Sequence, residues 1–240
     1  MEIESTADQK KEDTLIRVLL YGDAGTKKTT LMGTFPKPMW VADFDGKLDR
    51  LYGVDGIDYT SYSPTDPAQS RTMFMQFLQD WAEVQSMDKY KTMCMDGITA
   101  FDILCVRYVV LMAGKKADAV ATLPDYGAQA SFYNYFFKYS INSITNKNVV
   151  ITAHEFYNVD KDTGTHSICP LITGKKIQPK LPGMFKETWR MVKKGDSTGN
   201  VTLHYEKEGK AIASSLLMHG KGSIENPTYE KVMKEINNEG

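Results

Sequence analysis

Residues Gly22-Asp23-Ala24-Gly25-Thr26-Lys27-Lys28-Thr29-Thr30 carry the clearest chemical signal in the chain. They follow the pattern G-x-x-x-x-G-K-[ST] except at Lys27, which stands where the second glycine belongs. In such a loop, successive backbone N–H groups wrap phosphate oxygens. Lys28 would set its ammonium against β- and γ-phosphates, and the Thr29 hydroxyl would ligate Mg²⁺. Lys27 brings a side chain that could crowd the backbone's approach to phosphate, and also an extra cation. A lysine-rich turn between a strand and a helix is the alternative, so the argument turns on what flanks the loop.

Leu15-Ile16-Arg17-Val18-Leu19-Leu20-Tyr21 is short, apolar and β-branched, which reads as a buried strand, and a helix can begin at Leu31-Met32. Strand, glycine loop and helix start form the arrangement in which the pattern has physical meaning. Further strand-like runs lie at 38–42, 57–62, 91–96 and 148–154. Residues 66–86 place Met73, Phe74, Phe77, Leu78 and Trp81 at helical spacing; 99–112 read as a buried helix and 125–145 as an aromatic-rich one. Residues 113–124 read as a loop. This alternation predicts an α/β fold, a mainly parallel sheet flanked by helices. From 156 to 180, Gly164, Pro170 and Gly174 interrupt short strand-like pieces; then 188–193 and 200–216 read as antiparallel strands and 227–237 as a polar closing helix.

Polar residues at three later strand ends suit the same chemistry. Asp96 closes the apolar run Lys91-Thr92-Met93-Cys94-Met95, where a carboxylate orients a water on a magnesium ion. Capping the helix that starts at Gly97-Ile98-Thr99 is its alternative role. Asp45 follows the next strand after the loop, at the carboxyl edge where α/β sheets bind ligands, and could polarise a water that attacks a γ-phosphate. Asp43 competes with it, and a turn aspartate beside Gly46 is the plainer option. His154 and Glu155 end the last strong strand, where a polar group either touches a γ-phosphate or meets solvent.

Composition narrows the partners. The chain has 240 residues, 42% of them hydrophobic, and a net charge of −1, so a polyanion site must be a local patch. Cys94, Cys105 and Cys169 have no metal-ligand spacing, and with no signal peptide they fit a reducing cytoplasm. No apolar run reaches the length of a membrane-spanning helix. Residues 1–13 read as a disordered acidic leader and 217–240 as a C-terminal tail with a short helix. Residues 170–194 hold Lys175, Lys176, Lys180, Lys186, Arg190, Lys193 and Lys194 against Glu187 alone. Such a patch would bind nucleic-acid phosphates in a salt-dependent way, with Tyr126, Phe156 and Tyr157 as stacking faces for single-stranded bases. Solvated lysines and core aromatics are the alternative.

Together these pieces resemble the RecA-type ATPase core. Ala42-Asp43-Phe44-Asp45-Gly46-Lys47-Leu48-Asp49 resembles the stretch carrying that family's catalytic glutamate, with Asp45 in its place. Met95-Asp96-Gly97-Ile98-Thr99-Ala100-Phe101 resembles the second nucleotide motif. Val150-Ile151-Thr152-Ala153-His154 resembles the strand ending in the γ-phosphate-sensing glutamine, with His154 at that position. More narrowly, the chain is similar to short phage-encoded RecA-like nucleotide-binding proteins, some of which act as single-strand annealing recombinases. Pro124-Asp125-Tyr126-Gly127 and Thr152-Ala153-His154-Glu155 suit that group, and the resemblance spans roughly residues 15–195.

The resemblance implies a RecA-like P-loop NTPase domain over 14–216 with ATP and Mg²⁺ as cofactors, and catalytic roles for Lys28, Asp45 and His154. It implies a homo-oligomer, ring or filament, in the cytoplasm. Single-stranded DNA is the implied partner, a single-strand-binding protein a further one, and no membrane is involved. The DNA-facing loops would be 113–124, with Lys115 and Lys116, and 156–174, while Lys175 or Lys176 would reach a neighbouring subunit's nucleotide. Two departures bear on turnover: Lys27 replaces a loop glycine, and Asp45 is one methylene shorter than the glutamate. The rivals are a nucleotide-gated assembly module with little hydrolysis and a P-loop kinase for a small substrate.

Overall fold

Val18 through Gly22 are buried on both sides of a strand, and that is possible only where helices cover both faces of a sheet. This strand, β1 (Arg17–Gly22), lies in a computed structural model that describes residues 14–159, 164–174, 177–195, 199–219 and 222–237. The expected leader over 1–13 and Lys175 and Lys176 lie outside the described residues.

Among those residues, nine strands make one sheet. Its order is β3 (Ile57–Ser61), β2 (Met39–Asp43), β4 (Thr92–Asp96), β5 (Asn148–Val159), β1, β7 (Glu187–Lys193), β8 (Val201–His204) and β9 (Ser223–Glu225). The pairings from β3 to β7 are parallel, whereas β7–β8 and β8–β9 are antiparallel. A mainly parallel sheet with antiparallel strands toward the C-terminus is what the sequence predicts, except that β7, read as antiparallel, pairs parallel with β1 and antiparallel only with β8. β6 (His166–Pro170) lies off this path and pairs antiparallel with the outer half of β5.

Alternation along the strands divides the core. Leu19, Tyr21, Met93, Met95, Val149 and Ile151 face α2 (Ser70–Ser86), α3 (Ile98–Met112) and α4 (Leu123–Tyr135). Val18, Leu20, Val41, Cys94 and Val150 face α1 (Lys28–Met32) and α5 (Tyr229–Asn237) on the other side. The first face is aromatic: Phe74 stacks on Tyr108 with ring centroids 4.4 Å apart, and Phe77, Phe101, Phe132 and Phe136 pack around them. The helix expected over 125–145 begins at Leu123 and, after Tyr135, loosens into a π-helical stretch, Phe136–Ile141.

Three local differences from the sequence expectations have physical reasons. Residues 156–174, a DNA-facing loop by the resemblance and short strand-like pieces by their own pattern, include the end of β5 and all of β6, which pair antiparallel where β5 runs past its parallel neighbours. Within 200–216 only Val201–His204 forms a strand; Ala211 and Ser214 make isolated bridges to Ile168 and Thr188. The closing helix is amphipathic rather than merely polar: α5 buries Val232 and Ile236 in the same core as Leu31 and Met32.

One buried carboxylate fastens α3 to α4 and to the segment after β6. Asp102 Oδ1 accepts from Gln129 Nε2 and from the Tyr133 hydroxyl at 2.8 Å; Oδ2 accepts from the Thr173 N–H at 2.7 Å and its hydroxyl at 2.5 Å. Burial pushes the Asp102 carboxyl up, and these hydrogen bonds oppose that shift. No helix among the described residues is long and apolar enough to cross a membrane.

Candidate functional site

The parallel strands deliver Gly22, Asp43, Asp96 and His154 to one edge of the sheet, because their registers pair Gly22 with His154 and Asp43 with Asp96. This is the carboxyl edge, where the connections between strands and helices leave a crevice.

Gly22 ends β1 so tightly against β7 that a Cβ there would overlap the Met191 carbonyl oxygen. Asp23 begins the turn, its carbonyl accepting from the Thr26 hydroxyl at 2.8 Å and its carboxylate from the Ala24 N–H at 2.7 Å. Gly25 and Lys27 both take positive φ, 76° and 61°. Lys27 therefore adopts the left-handed conformation that the missing glycine would reach freely, at a cost of about 1 kcal/mol for a residue with a Cβ. Backbone shape is preserved where the residue type is not.

α1 starts at Lys28, earlier than Leu31, and ends after Met32. An α-helix leaves its first N–H groups without intrahelical partners, so those of Lys28, Thr29 and Thr30 are donors for an incoming anion. The Lys28 ammonium lies over the loop, 2.9 Å from the carbonyl oxygens of Gly22 and of Asp23. Burial lowers its pKa, while Asp96, Asp45, Asp23 and Glu155 nearby oppose that shift.

The Thr29 hydroxyl reaches across the crevice to Asp96, 3.0 Å from Oδ2 and 3.3 Å from Oδ1. Asp96 is 3% exposed; burial pushes its carboxyl up, and hydrogen bonds from Thr152 and Thr29 pull it back. A hydroxyl beside a carboxylate is a set of hard oxygen donors, which fits Mg²⁺ completed by phosphates and water.

Asp43 and Asp45 separate cleanly. Asp43 is buried and accepts the Gly46 N–H at 2.8 Å, so it shapes the turn. Asp45 lies beyond the strand, its Oδ2 3.4 Å from Nε2 of His154. It rests on Gly97, whose φ of 94° and missing Cβ leave room for the carboxylate. The His154 N–H in turn donates to the Thr99 hydroxyl at 3.3 Å, and that hydroxyl donates to the Leu171 carbonyl at 2.9 Å. Lys28, Thr29, Asp45, Asp96 and His154 are thus gathered at one edge.

The nucleic-acid candidates are scattered instead. Lys115 is tied into the start of α4, 2.5 Å from Asp125 Oδ2 and 3.0 Å from the Thr122 hydroxyl. Lys116 and Lys180 are exposed, and Tyr126 is half-buried beside Arg107, Ile103 and Thr173 around a cavity of about 280 Å³. Phe156 and Tyr157 are exposed on the outer half of β5, the Tyr157 hydroxyl 2.9 Å from His166 Nδ1.

Sequence reasoning passed over Thr152, Thr99 and the Arg190–Glu155 ion pair, 3.1 Å long and adjacent to β1. Thr152 left a trace in the sequence as the one hydroxyl inside the apolar run Val149-Val150-Ile151-Thr152-Ala153.

Residues 14–214 match a protein family described as AAA domain. No curated protein matches the chain. Among solved structures, the chain is similar to the assembled ATPase EscN in complex with its central stalk EscO from the enteropathogenic E. coli type III secretion system. That likeness has a TM-score of 0.46 at 11% identity and covers 74% of this chain and 42% of that one. The chain spans less than half the length of that structure's chain.

Proposed function

The chain belongs to the AAA domain family, and from that premise we propose that it hydrolyses ATP at the β1–α1 loop with Asp45 and His154 at the γ-phosphate. The observation that carries this reading is the hydrogen bond from Thr29 to Asp96, residues 67 apart in sequence, directly beside Lys28. Loop N–H groups from Gly22 to Thr30 and the Lys28 ammonium would hold the phosphates, and Thr29 and Asp96 would hold Mg²⁺. A bound Mg²⁺ would supply positive charge that offsets the charge of the phosphates. Asp45 accepts a proton from, or orients, the attacking water, and His154 holds the Asp45 carboxylate in place. This requires Lys28 to leave the carbonyl oxygens of Gly22 and Asp23 for the nucleotide.

The Lys27 departure is testable at the same site. Lys27→Gly is expected to leave phosphate release unchanged or to raise it, because glycine takes the left-handed backbone without strain. A large loss of turnover would show that the Lys27 side chain itself acts on the nucleotide.

A second reading, single-stranded DNA binding in a recombination or replication role, is favoured by Phe156 and Tyr157. They are 39% and 55% exposed on a hairpin that continues directly from His154. Aromatic faces there suit stacked bases, and Lys116 and Lys180 suit phosphates. Phosphate release from Mg-ATP with and without oligo(dT) tests both readings. Release that rises with oligo(dT) and loses this response as salt increases supports them. Tight ATP binding with release indifferent to DNA favours the nucleotide-gated assembly module. A homo-oligomer that places Lys175 or Lys176 at a neighbour's nucleotide belongs to the same proposal.

A further inference from the structure

Thr152 lies within β5, 2% exposed, directly after Val150 and Ile151, both apolar and fully buried. A hydroxyl in that setting must find partners or cost more than a methyl group would. Its partners are both parts of the nucleotide site. The Gly97 N–H donates to Thr152 Oγ1 at 2.8 Å, and Oγ1 lies 2.6 Å from Asp96 Oδ1. A threonine hydroxyl has one proton. Because an N–H already points at Oγ1, that proton goes to the carboxylate.

The consequence reaches both acidic residues. Thr152 fixes Oδ1 of Asp96, leaving Oδ2 to the Thr29 hydroxyl at 3.0 Å. It also pins the Gly97 N–H, and Gly97 is the residue whose left-handed backbone and bare Cα carry Asp45. His154, two residues further along the same strand, meets Asp45 from the other side.

We infer that Thr152 is a positioning residue, its single hydroxyl orienting the Asp96 carboxylate toward bound Mg²⁺ and holding the Gly97 turn beneath Asp45. This rests on the nucleotide reading above. A group that orients a metal-binding side chain typically contributes about tenfold or more to metal affinity. Valine matches the shape of threonine and removes only the hydroxyl.

The test is titration of the full chain with a fluorescent ATP analogue, once with Mg²⁺ and once with EDTA. Thr152→Val is expected to cut the Mg²⁺-dependent gain in affinity about tenfold, with affinity in EDTA held within about twofold, and Thr152→Ser to restore the gain. If Thr152→Val keeps the whole gain while Thr29→Ala loses it, the inference falls and the nucleotide reading stands. If neither substitution alters the gain, the metal site is misassigned and both fall. Should Thr152→Val not fold, Thr152→Ala replaces it, with the same outcomes deciding.

Discussion

Asp45→Asn is expected to slow phosphate release from Mg-ATP about a hundredfold while nucleotide affinity stays within about twofold. Asparagine has the shape of aspartate and can still sit on Gly97 and face His154, so the substitution removes the carboxylate's basicity and charge and little else. The geometry makes the test selective. Asp43, two residues earlier, accepts the Gly46 N–H at 2.8 Å and shapes the turn, whereas Asp45 Oδ2 stands 3.4 Å from His154 Nε2 at the crevice. Asp43→Asn would therefore be felt mainly as lost stability. Single-turnover measurement with excess enzyme separates chemistry from binding. An Asp45→Asn rate equal to wild type would return Asp45 to the role of a turn residue.

Lys28→Ala is expected to weaken ATP binding about a hundredfold, equivalent to roughly 3 kcal/mol. The ammonium matters here for its surroundings as much as for its own contacts. Asp23, Asp45, Asp96 and Glu155 all act on it, so it is a positive charge set among carboxylates. Without it, Asp23, Asp45 and Asp96 would face the triphosphate with one cation fewer, and carboxylates repel a polyanion strongly in a partly buried site. The substitution also frees the carbonyl oxygens of Gly22 and Asp23, a smaller effect because the loop edge reaches solvent. Fluorescent-nucleotide titration, with thermal unfolding in the presence of ATP as a second measure, checks this. Unchanged affinity would remove the phosphate loop from the site altogether.

The loop and the fold class were legible because both are written in short-range patterns. Contiguous apolar runs such as Val149-Val150-Ile151 mark strands covered on both faces, and helical spacing of Phe74, Phe77 and Trp81 marks α2. Even the departure at Lys27 proved local, since the backbone there holds the glycine's left-handed angle. Thr152 was less legible: an isolated hydroxyl in an apolar strand gives no hint of its partners. Of the β5–β6 pair the sequence showed strand-like pieces broken at Gly164 and Pro170, but not that they pair with each other.

By itself, then, the sequence determined the strand–loop–helix unit, the strands from β1 to β5 and the residue types at their ends. Which of those ends meet was decided only by tertiary structure. Strand order and register are long-range matters, and a shift of one residue would turn every side chain to the opposite face. Pairing β4 between β2 and β5 is what brings Asp96 to Thr152, and Asp45 to His154 across Gly97. The chemistry of each group was present in the chain; their proximity follows from how the strands are ordered in the sheet.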